Sequence, residues 1–497
     1  MSSMNGDLPS ALQVSTIKDV ENMEIRTEVL DPITITQTQA VFQIPKTGIL
    51  DGGSMVQLGV EGSSDLFFPL NTGIHGLVKS CQLKVGGKVL ASNSDYAHYT
   101  TMTRQFETPE HRAFVDMVKS GACGDRWAET ESGRIGYRDL ESVLDSGTPA
   151  DSTSDVPEFI RPTTDSSTTP LFSVPLSTLI PMMRSRTLPL MALKEHVYIE
   201  IQFNTQTVAG DVGKICCLKE GSGASPAVSV STSNVKFISD HLYYTDERMD
   251  EVVQRSLSED GLSVLYEDLI TTFADVPALV PAAGTTTPQK VERQIAVSGK
   301  TVRNIMVAEK ETGQTSAVLG DYFSTDLIIP TSYNFRINDQ RIYDRDVVAP
   351  PRKYTELGDV MGKPLMVPNQ LYSFDADSDK QDVPTQSVNQ NSVYIGKIEG
   401  HQLPNAASAD QTNDVRATSA YVGYDATTSG FNVLGNGVKV GVKPILIQRT
   451  YTRQRDSTTD DPTNKGVLHQ STARQMRIYT GVERVYNIRQ GEITISA

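Results

Sequence analysis

Short runs of alternating or β-branched apolar residues, cut by Gly, Pro, Asn and Asp, dominate this chain. A period of two places apolar side chains on one face of a pleated strand, and closely spaced turn residues keep each strand short, the pattern of sandwiches and barrels. In the first half this predicts strands over Thr34 to Ile44, Met55 to Val60, Leu77 to Val85, Val89 to Ala91, Leu171 to Val174, Val197 to Phe203 and Asn234 to Tyr244. In the second half it predicts Val291 to Val297, Asn304 to Ala308, Leu327 to Ile329, Tyr333 to Ile337, Val393 to Ile398, Ala420 to Tyr424, Val438 to Val442, Ile445 to Tyr451, Arg474 to Thr480 and Glu492 to Ile495. Gly86-Gly87 falls between two such runs and predicts a hairpin, because favoured two-residue turns need positive φ.

Helical periodicity is sparse. From Asp95 to Lys119, Tyr96, Tyr99, Met102, Phe106, Phe114, Met117 and Val118 recur at helical spacing, and Pro109 breaks the run by removing a backbone donor. A second helix is expected over Asp246 to Leu257, while Leu262 to Ala274 fits either period. Ser142 to Thr169, Asp375 to Gln390, Asn405 to Thr418 and Arg455 to Lys465 are polar and turn-rich, and predict long exposed loops. The charged stretch Thr245 to Asp260, near mid-chain, predicts the connection between two domains.

Length supports that division, since 497 residues exceed what one core holds and two β-rich halves of similar size suggest a fold-level duplication. With 38% hydrophobic and 21% charged residues, both halves are expected to fold. The net charge of -15 opposes binding to phosphates, and residues 1–30 hold at least as many acids as bases, so no basic arm for nucleic acid is present there. The four cysteines include the adjacent Cys216 and Cys217, whose mutual disulfide would be strained. Sparse cysteine, no leader-like N-terminal segment and no Asn-x-Ser/Thr acceptor argue against secretion. No run nears the roughly 20 apolar residues of a membrane-spanning helix.

Catalytic constellations are missing from the sequence. No His-Glu-x-x-His, phosphate-binding Gly-x-x-x-x-Gly-Lys, Gly-x-Ser-x-Gly or Cys-x-x-Cys motif occurs, and the seven histidines are scattered singly. Cys216 and Cys217 read as buried strand thiols, and Gly435, Gly437 and Gly441 as a turn between strands. Asp375, Asp377 and Asp379 alternate like the start of a calcium loop but lack its Gly and terminal Glu, so they read as a solvated tip, as does Asp460-Asp461. Trp127, near Arg126 and Arg134, reads as a packing anchor. The expectation is a non-enzyme with no catalytic, cofactor or metal residues.

Several strings carry a family resemblance. Leu188 to Ile201, which begins Leu-Pro-Leu-Met-Ala-Leu and runs into a strand, resembles a segment of major capsid proteins of nucleocytoplasmic large DNA viruses. Asp240 to Arg248 resembles the string that closes the first jelly roll in that family, Ile337 to Asp346 its Asn-Gly-x-x-Arg-Phe segment, and Arg484 to Thr494 its final strand region. Phe42 to Asp51 is closer to the capsid proteins of polinton-like viruses and virophages, smaller relatives of the same lineage.

The resemblance implies two consecutive eight-stranded jelly-roll β-sandwiches with short helical insertions and long loops. It divides the chain into an N-terminal arm at 1–30, a first jelly roll at 31–250 and a second at 251–497. It also implies a homotrimer, a pseudo-hexameric capsomer of an icosahedral double-stranded DNA virus shell, assembled in the host cytoplasm or nucleus. Neighbouring capsomers, minor capsid and penton proteins would be its partners, and an inner membrane a neighbour rather than a medium. The alternative is a β-sandwich carbohydrate-binding protein or glycoside hydrolase. Against it stand the single Trp and an aromatic content of 7%, which leave little for sugar stacking.

Overall fold

The computed structural model describes residues 23–62, 66–67, 72–104, 117–120, 128–130, 133–135, 171–184, 186–206, 215, 217–218, 227–277, 289–311, 332–346, 422–425, 438–451 and 474–496. The four polar loops expected from the sequence, and the strands expected at Leu327 to Ile329 and Val393 to Ile398, lie outside these residues.

In the first half, β1 (Glu24–Leu30), β2 (Thr34–Thr36), β3 (Gln39–Ile44), β4 (Ile49–Leu50), β5 (Met55–Gly62), β6 (Val78–Val85), β7 (Lys88–Asn93), β8 (Leu171–Pro175), β9 (Leu188–Pro189), β10 (Val197–Phe203), β11 (Val228–Val230) and β12 (Lys236–Tyr243) form a seven-stranded and a five-stranded sheet. In the second, β13 (Leu262–Val276), β14 (Gln289–Ile295), β15 (Thr301–Glu311), β16 (Ser332–Ile337), β17 (Gln340–Arg341), β18 (Val422–Asp425), β19 (Val438–Lys439), β20 (Ile445–Tyr451), β21 (Arg474–Arg489) and β22 (Glu492–Ser496) form a six-stranded and a four-stranded sheet. Every pairing within these sheets is antiparallel.

Several strands are segments of one line. β4 and β5 pair with the same side of β12, β9 and β8 continue one another along them, and β11 continues β12 along β5. Counted as eight principal strands in chain order, one sheet then reads first, eighth, third, sixth (β1, β12, β5, β8) and the other second, seventh, fourth, fifth (β3, β10, β6, β7). The second half repeats the scheme, with β13, β21, β15, β18 opposite β14, β20, β16, β17. This is the double Greek-key order of a jelly roll, executed twice.

Alternation drives each strand into place. Along β10 the buried positions are Val197, Ile199, Ile201 and Phe203, and along β3 Ala40, Phe42 and Ile44. Phe42 and Phe237 meet in the first core with ring centroids 5.7 Å apart. Full burial of such a ring contributes about 2 to 3 kcal/mol. The second core gathers Val276, Ile305, Phe335, Ile447, Met476 and Ile478.

The hairpin expected at Gly86-Gly87 forms between β6 and β7, with the left-handed conformation carried by Gly86 alone, at φ 56°. Between β16 and β17, both Asn338 (φ 52°) and Asp339 (φ 67°) are left-handed, as a mirror-image two-residue turn requires. The helix expected to start at Asp95 appears as α1 (Tyr96–Arg104) with a turn at Met117–Ser120, and Pro109 lies outside the described residues. α2 (Asp246–Leu257) has the expected bounds and links the two sandwiches, with Asp246 and Glu247 at its positive end and Arg255 in its last turn. The ambiguous Leu262 to Ala274 is a strand, β13, held by β21 along its full length. Seven residues assigned to the arm, Glu24–Leu30, form β1 and pair with Phe237 to Tyr243.

Candidate assembly surface

Among the described residues no group of His, Cys, Asp and Glu is placed to hold a metal ion, and no helix is long and apolar enough to cross a membrane. Cys217 sits in a two-residue strand opposite Phe67, and Arg134 in a three-residue strand opposite Glu129. The Gly441 amide donates to Asn338 Oδ1 at 2.7 Å, which ties down a turn between strands. Cys216, Gly435, Gly437, Arg126, Trp127, the Asp375 series and Asp460-Asp461 lie outside the described residues. Of the histidines, His241 is fully buried between Ser239 Oγ (2.8 Å) and Thr47 O (2.9 Å). A carbonyl only accepts, so Nδ1 carries a proton and donates it to Thr47 O.

The surface that organises the molecule is the seam between the sandwiches. β13 and β21 are longer than the sheet they face, and their overhang reaches the first half. Val276, Met476 and Ile478 at one end belong to the second core, whereas Tyr266, Tyr486 and Ile488 at the other, with Ile493 of β22, are buried in the first. Polar contacts lock this overlap: Tyr266 OH donates to Leu90 O (2.7 Å), Tyr486 OH to Thr187 O (3.2 Å), Lys88 Nζ to Ile493 O (2.7 Å) and Arg186 Nε to Leu265 O (2.7 Å). Apolar burial supplies the attraction, and these bonds leave few partners for a shifted register.

Two buried carboxylates cross the seam in opposite senses. Asp95, just before α1, accepts from Arg477 Nη1 at 2.6 Å and Tyr479 OH at 2.7 Å. Burial alone would raise its pKa, but the positive charge of His98, the charge of Arg477 and the two hydrogen bonds together outweigh burial, and the carboxyl is held below its ordinary range. Asp268 of β13 accepts from the Ser92 amide at 3.3 Å and pairs with Arg484 at 2.9 Å. Here burial prevails over Arg484, and the pKa is raised.

Four of the five strings that carried the resemblance meet in this region, and the fifth, Ile337 to Asp346, lies in the second sandwich with Ile337 and Tyr343 in its core. Leu190 N donates to Gly48 O, Lys46 Nζ to Lys194 O, and Lys194 N to Gly491 O at 2.9 Å. Segments near residues 48, 190, 241 and 490 are thus neighbours. No contact was expected of Asp95, Asp268, Arg477 or Arg484 from the sequence, which carries no local signal for a pair 382 positions apart.

Gly491 shows how close the approach is. Its φ is 79°, and a Cβ there would stand 2.5 Å from Lys194 Cγ. Gly491→Ala is expected to cost about 1 to 2 kcal/mol from the left-handed backbone alone. Urea unfolding followed by circular dichroism checks this, and an unchanged midpoint would show that the turn relaxes freely.

No protein-family model matches the sequence, and no curated protein matches it. Solved structures do match. A chain from the 3.5 Å cryo-EM structure of the Sputnik virophage superposes with a TM-score of 0.58 at 10% identity, over 98% of this chain and 92% of that one. PBCV-1 VP54, fitted into a reconstruction of the virophage Sputnik, gives 0.52 at 12% identity over 96% and 97%. The mavirus major capsid protein gives 0.51 at 9% identity over 98% and 94%. Because the likeness spans both sandwiches at such low identity, it is one of architecture, and this chain has the double jelly-roll fold of those viral proteins.

Proposed function

We propose that this chain is a major capsid protein, a non-enzymatic unit that forms trimeric, pseudo-hexameric capsomers in the shell of an icosahedral double-stranded DNA virus. The observation that carries this reading is the repetition of one strand order in two sandwiches fixed to each other by an apolar seam. A rigid pair of like blocks lets three chains present six similar sides, so a trimer fits a hexagonal lattice position. Rings of this kind close through head-to-tail contacts and leave few free sheet edges. The neighbouring folds belong to viruses and a capsid protein, and at their level of identity they lend this chain architecture and plausibility of use.

On this reading the chain divides into an arm at 1–30, whose residues Glu24–Leu30 add a strand to the first sandwich, a first jelly roll at 31–250 and a second at 251–497, with the division inside α2. Its site is the virion, and its partners are neighbouring capsomers with minor capsid and penton proteins. No observation on the described residues favours the carbohydrate-active alternative.

The test is the mass of the purified full chain by light scattering coupled to size exclusion, with negative-stain images of the same peak. A particle of three chains with a hexagonal outline is expected, and a monodisperse monomer that forms no rings overturns the proposal.

A further inference from the structure

On the face of β13 and β21 turned away from the cores, two like charges meet. Glu267 and Glu483 stand directly opposite each other on the two strands, one register step from Tyr266 and Arg484, where the pair leaves its own core and enters the first sandwich. Like charges in directly opposed positions weaken a sheet. A single cation serves both: Arg303, set out of line by a β-bulge in β15, lies 3.7 Å from Glu267 and 3.9 Å from Glu483. Both separations exceed a hydrogen bond, so the guanidinium is shared between the carboxylates and fully engaged by neither.

Glu267 is held in place. Asn304 Nδ2 donates to its Oε1 at 3.2 Å while Asn304 Oδ1 accepts from the Gly481 amide at 3.2 Å, and both side chains fill the room that Gly481 leaves, since a Cβ there would stand 2.6 Å from each. Only 13% of the Glu483 side chain is exposed, so water does little for its charge. From the first sandwich, Tyr99 of α1 lies close enough to Glu267 to feel its charge, with Arg184 of the turn Pro181–Arg184 over the Tyr99 ring. The opposite face of the strands carries Asp268 and Arg484, with Lys300 beside them. Burial raises the Glu483 carboxyl, Arg303 draws it down and Glu267 raises it again, for a net rise.

We propose that Glu267 and Glu483 form a proton-operated latch: near neutral pH their repulsion loosens β13 and β21 where the first sandwich grips them, and in mild acid Glu483 takes up a proton and the strands tighten. A protonated carboxyl turns from acceptor to donor, and Arg303 is left to serve Glu267 alone. The sign follows from the raised carboxyl. The unfolded chain has the ordinary glutamate value of about 4.3, so the stabilisation is complete below that pH and is lost as the pH rises through the higher folded value. Asp95, whose carboxyl is lowered, stays ionised over this range and does not oppose the change. Asp268 acts in the same direction from the opposite face of the strands, so mild acid firms the overlap on both sides.

The test is urea unfolding of the full-length wild type and Glu483→Gln, followed by circular dichroism from about pH 7 to about pH 5. Glutamine has the shape of the protonated side chain without the charge. The variant's midpoint is therefore expected to lie above that of the wild type near neutral pH, by roughly 0.3 M, and the gap to narrow as the pH falls. Asp268 and the histidines titrate in both chains, so the gap reports on the glutamate pair. A variant midpoint below the wild type's near neutral pH would show Glu483 and Arg303 to be a stabilising ion pair, and a gap independent of pH would show that no proton is taken up. Either result overturns the latch. Should Glu483→Gln fail to fold, Arg303→Met decides the matter: removing the shared cation should lower the midpoint most near neutral pH and less in mild acid, and an equal loss at both overturns the latch.

Discussion

Tyr486→Ala is expected to destabilise the protein by about 3 to 5 kcal/mol, the usual range for emptying a fully buried aromatic site. Tyr486 is fully buried, its ring centroid lies 5.7 Å from that of Tyr266, and its hydroxyl donates to Thr187 O across the seam. Although its strand is an element of the second sandwich, the side chain completes the core of the first. The loss should therefore fall on the coupling between the two halves, and a single unfolding transition in the wild type should separate into two. Tyr486→Phe keeps the ring and drops only the hydrogen bond, at a cost of about 1 kcal/mol. Urea titrations followed by far-ultraviolet circular dichroism distinguish these outcomes. A loss below about 1 kcal/mol for the alanine variant would mean that the seam contributes little to the fold.

Asp95→Asn is expected to cost about 3 kcal/mol near neutral pH, because it removes the charge opposite a nearly buried guanidinium. Only 14% of the Arg477 side chain and 11% of that of Asp95 is exposed, so water cannot take over the missing partner. The pH dependence follows in sign from the lowered carboxyl pKa. The unfolded chain has the ordinary value near 4, so the contribution of Asp95 is complete above that pH and is lost as the pH falls through the lower folded value. Asp268, with a raised folded pKa, works the other way. Its ionised form burdens the fold above the raised value, and stability is regained as the pH falls from there towards the ordinary value. Asp268→Asn should accordingly cost much less at neutral pH than Asp95→Asn. Unfolding free energies of the wild type and Asp95→Asn, measured from about pH 7 down to pH 2, should converge on the acid side. A gap that stays constant throughout would show that the charge of Asp95 is not its source.

How far the sequence reaches is visible strand by strand. Val197–Phe203, Ile445–Tyr451 and Asp246–Leu257 have the bounds expected of them, because buried positions alternate with more exposed ones along the two strands, half-buried Met249, Val252 and Val253 recur at helical spacing in the helix, and the period survives in the letters. β13 was ambiguous for the opposite reason. Its overhang is covered by the other sandwich, so Tyr266, Asp268 and Leu269 are all buried and the two-residue alternation fades. The strand expected at Arg474 to Thr480 continues to Arg489 for the same cause, since its last third, including Tyr486 and Ile488, packs on a different core from its start. β1 gave no strand signal because six of its seven side chains face water, and what holds it is backbone pairing to β12, which side-chain patterns do not display.

By itself, then, the sequence determined an all-β chain in two halves with a helix between them, because strand period, turn residues and capping charges are local properties written in neighbouring letters. It also carried a resemblance, in strings that prove to converge largely on one seam. Only the tertiary structure decided which strands are neighbours, that the same order is built twice, and that Asp95 meets Arg477. Those facts depend on pairings between residues hundreds of positions apart, and such pairings are fixed by packing and by the register of whole sheets, which no short stretch of chain contains.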